Sequence, residues 1–269
     1  MSSTSINSWL AFDIGGANIK AADGRGWSYS EPFAMWQEWK RLPDVLAHIK
    51  SLHPSSHYAV TMTGEIADCF SGRSEGVKHI VESCSIALGK RDVVFYCVDG
   101  SLLGATEAMH QPLQVAASNW HALARLAGSF VSSGRSWLID IGSTTTDIVP
   151  LACGQPVPQG TNDWDRLLCG ELVYTGMERT PVPALRQSLP HRGDSRPVAC
   201  ECFATSHDVW LLSASCLKKR NQIPQLTTSR LLVMRLAFVW LALCFSSQHH
   251  LLLRMRLKQQ RQLPTRRLV

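Results

Sequence analysis

The sequence contains no glycine after Gly193 and no aspartate or glutamate after Asp208. A globular stretch of comparable length carries about five glycines at average usage. The absence of both residue types sets the carboxy-terminal part apart from the body. Residues 209–269 hold eleven Lys and Arg, so residues 1–208 carry a net charge of −5 although the whole chain is +6. A nucleic-acid partner inferred from the overall charge would therefore be a mistake, because the excess sits in one segment.

The opening MSSTSINSWLAF has no basic start leading into an apolar run, which argues against a secretory leader. Nine cysteines lack paired spacing apart from Cys200 and Cys202. That pattern excludes a disulfide-dense scaffold and makes reduced thiols in a cytoplasmic protein the expectation. Cys200 and Cys202 with His191 and His207 do not match the regular spacing of a zinc site. The apolar run at residues 231–245 is shorter than the roughly 20 residues that span a bilayer.

What is present is a repeated unit. Residues 9–13 are an apolar run ending in an acid, followed by Gly15 and Gly16 and a second apolar run over residues 19–22. This predicts a strand, a tight glycine turn and a returning strand. Residues 28–30 predict a third strand. Residues 35–52 have helical spacing interrupted at Pro43, and residues 57–62 read as a strand. A helix over 77–88, a strand over 92–98 and one long alanine-rich helix over 113–131 follow. The opening unit then recurs: strands at 136–141 and 147–151 flank Gly142, Ser143, Thr144 and Thr145, with Asp140 standing 127 positions after Asp13.

Two such turns have a chemical use. Backbone N–H groups in a glycine bend form a concave nest for anions, and paired nests with two carboxylates suit a polyphosphate and Mg²⁺. On that reasoning Asp13 and Asp140 are metal and catalytic candidates. Gly15, Gly16, Gly142, Ser143, Thr144 and Thr145 are phosphate-binding candidates. Lys20 offers a point charge near the first bend. Glu65, behind the Thr63–Gly64 turn, is a candidate general base or metal partner.

The motifs FDIGGANIKAA (12–22), MTGEIADCF (62–70), ASNW (117–120), DIGSTTTDI (140–148), GELVYTG (170–176) and RTPV (179–182) resemble the hydantoinase/oxoprolinase family. More narrowly they are similar to its branch linked to tetrahydromethanopterin-dependent one-carbon transfer, whose archaeal relatives are methanofuran-assembling synthases. The resemblance covers about residues 9–210. It implies an α/β, ribonuclease-H-like (actin-like ATPase) fold of two lobes, with duplicated β-hairpin phosphate loops and an atypical or truncated C-terminal part. The expected divisions are residues 1–130, residues 131–210, incomplete, and a basic apolar tail at 211–269.

By the same resemblance the ligand is a small phosphate-bearing molecule, ATP or a diphosphate substrate, with Mg²⁺. A hydrolase or a synthase is implied. Neither nucleic acid nor membrane is an expected partner. Ring-opening hydantoinases place hydroxyl residues after the first two glycines, where this chain has Ala17, Asn18, Ile19 and Lys20; that departure turns the expectation from hydantoin or oxoproline toward a diphosphate. The alternative is a non-catalytic phosphate-binding remnant. For the tail, a shifted reading frame near residues 213–219 accounts best for the missing acids and glycines; a membrane-associating segment and a helical lobe are the competing readings.

Overall fold

The computed structural model describes residues 8–90, 92–131 and 133–218, with side chains as far as residue 213. These residues form two compact units that divide between Leu123 and Ala124. The run at residues 231–245, and all of the tail beyond residue 218, lie outside the described residues.

In the first unit the opening apolar run is β1 (Trp9–Ile14), which turns at Gly15 into β2 (Asn18–Ala22) and β3 (Ser28–Pro32). Helical structure follows as α1 (Met35–Glu38), a 3-10 turn (Trp39–Arg41) and α2 (Leu42–Leu52). The expected break at Pro43 falls earlier. Pro43 stands in the first turn of α2, where its missing N–H has no intrahelical partner to lose. Next come β4 (His57–Met62), α3 (Arg73–Cys84), a π-helical turn (Ser85–Gly89), β5 (Val93–Tyr96), β6 (Leu102–Gly104) and α4 (Ala105–His110).

The single helix expected over 113–131 is two helices, α5 (Pro112–Val115) and α6 (Asn119–Ser129). Ala117 lies between them with φ of 47°, a left-handed conformation through which a right-handed helix cannot run. Alanine content favoured helix here, but backbone geometry at one residue overrode it.

The six strands of this unit lie in the order β3-β2-β1-β4-β5-β6, with β1, β4 and β5 parallel and the rest antiparallel. Alternation along β1 sorts its side chains. Leu10, Phe12 and Ile14 join Val60, Met62 and Phe95 in a core closed by Leu42, Leu46 and Ile49 of α2 and by Val77, Ile80 and Cys84 of α3. A second cluster holds small residues, Ala11, Ala22 and Ala59, with Ala122 of α6 and Tyr96.

The second unit is built on β7 (Arg135–Ile141) and β8 (Thr146–Ala152), with β9 (Gln155–Pro156) against β8. Then come α7 (Asp163–Cys169), β10 (Leu172–Val173), α8 (Val182–Leu185), the hairpin β11 (Ser188–His191) with β12 (Asp194–Pro197), and α9 (Ser206–Lys218). Asn162 caps α7 by accepting from Asp165 N, and Gly170 ends it in a left-handed conformation. The main sheet runs β10-β8-β7. Along β7, Trp137, Ile139 and Ile141 are exposed, Trp137 by 63%. No helix among the described residues is long and apolar enough to cross a membrane.

Candidate functional site: two acid–glycine bends

Each repeated motif forms an antiparallel hairpin, and the two close in the same way. In the first, Asp13 lies opposite Lys20 and Ile14 opposite Ile19, and Gly15 N donates to Asn18 O at 2.9 Å. In the second, Asp140 lies opposite Asp147 and Ile141 opposite Thr146, and Gly142 N donates to Thr145 O at 2.8 Å. Every matched pair is separated by the same 127 positions. The short apolar strands fix the register, and the glycine amide closes the turn.

The surroundings of the first bend are tightly built. Thr63 N donates to Ile14 O at 3.0 Å, Phe33 N to Ala17 O at 3.0 Å and Met35 N to Gly16 O at 3.0 Å. Gly64 presses against the bend: a Cβ there would stand 2.9 Å from Gly15 O and 2.9 Å from Met35 Cε. Asp13 is 7% exposed and its Oδ2 lies 3.2 Å from Lys20 Nζ. Its Oδ1 is buried without a hydrogen-bond partner among the described residues. Leaving a carboxylate oxygen so placed is costly unless a cation or donor arrives.

Glu65 follows Gly64 in a 3-10 turn (Gly64–Ile66) and is 0% exposed. Its Oε1 lies 3.7 Å from Arg73 Nε, at the start of α3. The side chain thus stands behind the bend, against a cation of the helix that packs on the turn.

A strap follows the second bend. Met177 N donates to Gly142 O at 2.9 Å, while Glu178 N and Arg179 N donate to Ser143 O at 3.0 and 2.9 Å. Thr146 Oγ1 donates to Thr175 O at 2.5 Å, and Gly176 N donates to Thr180 Oγ1 at 2.8 Å. Gly176 is required by proximity, since a Cβ would come within 2.6 Å of the Ser143 carbonyl carbon. Arg179 Nη2 also donates to Ser143 Oγ at 3.0 Å. Ser143, Thr144 and Thr145 are all partly exposed.

Opposite Asp140, Asp147 meets a buried cation: Arg166 Nη1 donates to its Oδ1 at 2.8 Å and Nη2 to Glu171 O at 2.9 Å. Burial pushes the Asp147 carboxyl above its ordinary value, against the opposing pull of Arg166. Glu171 is buried too, and its carboxylate accepts from Gln159 N at 2.7 Å and Gly160 N at 3.3 Å. Its role is to hold a loop. Trp120 is buried in the first unit, and Asn119 Oδ1 accepts from Trp120 N at 2.8 Å.

The structure thus places Asp13, Gly15, Gly16 and Lys20 on one bend and Asp140, Gly142, Ser143, Thr144 and Thr145 on the other, with Glu65 behind the first. The strap runs through the motifs at 170–176 and 179–182 that the sequence singles out, whereas sequence reasoning missed the Arg166–Asp147 pair. Arg166 sits in a run, Asp-Trp-Asp-Arg, that reads as a surface helix, and nothing in its spacing marks it as buried. Among the described residues no group of three or more His, Cys, Asp or Glu is arranged to hold a metal.

Mixed α/β units carrying this hairpin define the class, and the comparison with known proteins gives the family. Residues 56–212 match the hydantoinase/oxoprolinase family, and the chain belongs to it. It is 36% identical over 204 residues to the (4-{4-[2-(gamma-L-glutamylamino)ethyl]phenoxymethyl}furan-2-yl)methanamine synthase of Methanocaldococcus jannaschii, covering 76% of this chain and 61% of that protein. The synthase of the same name from Methanococcus vannielii is 39% identical over 75 residues, which is 28% of this chain and 33% of the relative. The chain therefore spans less than two thirds of the length of these relatives. A solved structure of an Aquifex aeolicus Ppx/GppA phosphatase aligns with 64% of this chain and 53% of its own at 12% identity, with a TM-score of 0.39.

Proposed function

We propose that the chain is an enzyme of the hydantoinase/oxoprolinase family that acts on a small phosphate-bearing ligand, ATP or a diphosphate, in the assembly of a methanofuran-type one-carbon carrier. The fold this reading calls for is the two-lobed ribonuclease-H-like one. The observation that carries it is the shared closure of the two bends, each with an acid at the end of a strand and a glycine amide sealing the turn. The names of the two archaeal relatives support the pathway.

In this reading Gly15 and Gly16 let the first bend's backbone approach phosphate oxygens closely, and Gly142 does the same for the second. Ser143, Thr144 and Thr145 add hydroxyl donors. Lys20 neutralises charge that builds on a departing diphosphate. Glu65, paired with Arg73, keeps the Gly64 turn seated beneath Gly15. Asp13 on the first bend and Asp140 on the second are the carboxylates that would meet Mg²⁺ through its water shell, and the orphaned Asp13 Oδ1 fits that task. An acid beside a phosphate nest matches the preference of Mg²⁺ for one or two acids plus phosphate. Bound there, the ion would offset phosphate charge.

Calorimetric titration with ATP, ADP and pyrophosphate, each with and without Mg²⁺, tests this reading. Magnesium-dependent binding of at least the diphosphate is expected, and Asp13→Asn and Asp140→Asn should each abolish it. A chain that takes up none of the three ligands would end the proposal.

A further inference from the structure

The two bends differ in one respect that matters for an anion. Across the first, Lys20 puts an ammonium opposite Asp13; at the matching position of the second stands Asp147, an acid already neutralised by Arg166. The one cation on the strands of the second bend, Arg135, stands at the far end of the hairpin opposite Ala152. Arg179 brings one from the strap.

We infer that Arg179 is the guanidinium that binds the phosphate at the second bend, so that each bend carries one cation drawn from a different part of the chain. The inference rests on the proposed phosphate-bearing ligand and adds a residue to its binding.

Three observations carry it. First, Arg179 is held against the bend itself: its backbone N donates to Ser143 O at 2.9 Å and its Nη2 to Ser143 Oγ at 3.0 Å. The turn that presents it is held by the Thr180 Oγ1 bond to Gly176 N and by the close seat of Gly176 on Ser143. Second, Arg179 is exposed, and no carboxylate among the described residues forms an ion pair with it. One N–H is committed to a neutral hydroxyl, which leaves the rest of the planar fork open. Third, the turn it touches is rich in hydroxyls: Ser143, its partner, is followed by Thr144 and Thr145, residues suited to phosphate oxygens. Arginine takes such a group in a bidentate grip that lysine cannot reproduce.

The ligand class is a terminal phosphate or diphosphate oxygen set, and the probe is pyrophosphate. With Mg²⁺ present, Arg179→Gln should weaken its binding by about 10- to 100-fold, the loss of a charge-assisted bond pair. Arg179→Lys should recover only part. An unchanged far-ultraviolet spectrum checks the fold of both variants. In the unaltered chain, phenylglyoxal should modify Arg179, and saturating pyrophosphate should suppress that modification, read by peptide mass. Binding within twofold of the unaltered chain in Arg179→Gln, or modification that pyrophosphate leaves unchanged, overturns the role of Arg179 while the phosphate reading stands. Failure of the unaltered chain to bind pyrophosphate overturns both.

Discussion

Arg166, 1% exposed, donates to the Asp147 carboxylate at 2.8 Å and to the Glu171 carbonyl at 2.9 Å, so one buried guanidinium joins α7, β8 and the approach to β10. Breaking such a pair from one side strands a charge. Arg166→Met should destabilise the fold by about 3 kcal/mol, measured by urea unfolding. The double variant Arg166→Met/Asp147→Leu should regain much of that loss; a double variant no better than the single one would show that packing, rather than charge, is what Arg166 supplies.

Asp147 also sets a pH dependence. Burial raises its carboxyl above the ordinary aspartate value, so the folded chain holds that proton to higher pH than the unfolded chain does. The contribution of Asp147 to stability is then most favourable at low pH and falls as pH rises through the interval just above the ordinary value. Urea midpoints of the unaltered chain and of Asp147→Asn, taken between about pH 4 and about pH 7, isolate it. Their difference should shift against the unaltered chain as pH increases; a shift in its favour contradicts the assignment.

Lys20 and Asp13 make a partly buried pair at 3.2 Å, next to the partnerless Asp13 Oδ1. Removing the cation leaves a mostly buried carboxylate alone. Lys20→Met should cost about 1 to 3 kcal/mol of stability, and adding Asp13→Asn should return part of it. Equal stability of Lys20→Met and the unaltered chain would mean that solvent already screens Asp13.

Gly64 and Gly176 serve the two bends alike, each seated on backbone where a side chain has no room. Gly64→Ala and Gly176→Ala should each destabilise by about 1 to 3 kcal/mol. Each should also weaken pyrophosphate binding more than an alanine at the open position Gly72, where nothing lies within 4 Å. Equal effects at all three positions would remove the close-approach explanation.

Thiol reactivity follows burial. Cys84 is fully enclosed and burial pushes its thiol well up; Cys97 is buried and raised as well. Cys153, Cys169, Cys200 and Cys202 are exposed. Brief iodoacetamide treatment at neutral pH followed by peptide mass mapping should label those four and spare Cys84 and Cys97. Labelling of Cys84 in the folded chain would contradict its enclosure.

The hairpins were legible because their signals are local. An apolar run, an acid, a glycine pair and a second run specify β1 to β2 within 14 residues, and an apolar run, an acid, a single glycine with hydroxyl residues and a second run specify β7 to β8 within 18. The family was legible because several such motifs occur in order. What escaped depends on contacts between distant residues. The Gly176 seat on Ser143 spans 33 positions, and the Arg166 bond to Asp147 spans 19, so no periodicity carries either. The break before α6 escaped for another reason: Ala117 is by propensity a good helix former, yet its φ of 47° is left-handed. The short β9, β10, β11 and β12, of two to four residues, carry too little alternation to be read.

β7 bears on how the protein behaves in a concentrated solution. Its counterpart β1 is flanked on both sides, by β2 and by β4, whereas among the described residues β7 pairs with β8 alone. A strand with a neighbour on one side only, striped here with the exposed Trp137, Ile139 and Ile141, is the kind of edge on which another extended polypeptide can add. If molecules associate along that margin, turbidity on storage should fall when a charge is set at Ile139, and turbidity unchanged by Ile139→Lys would clear β7 of any part in it.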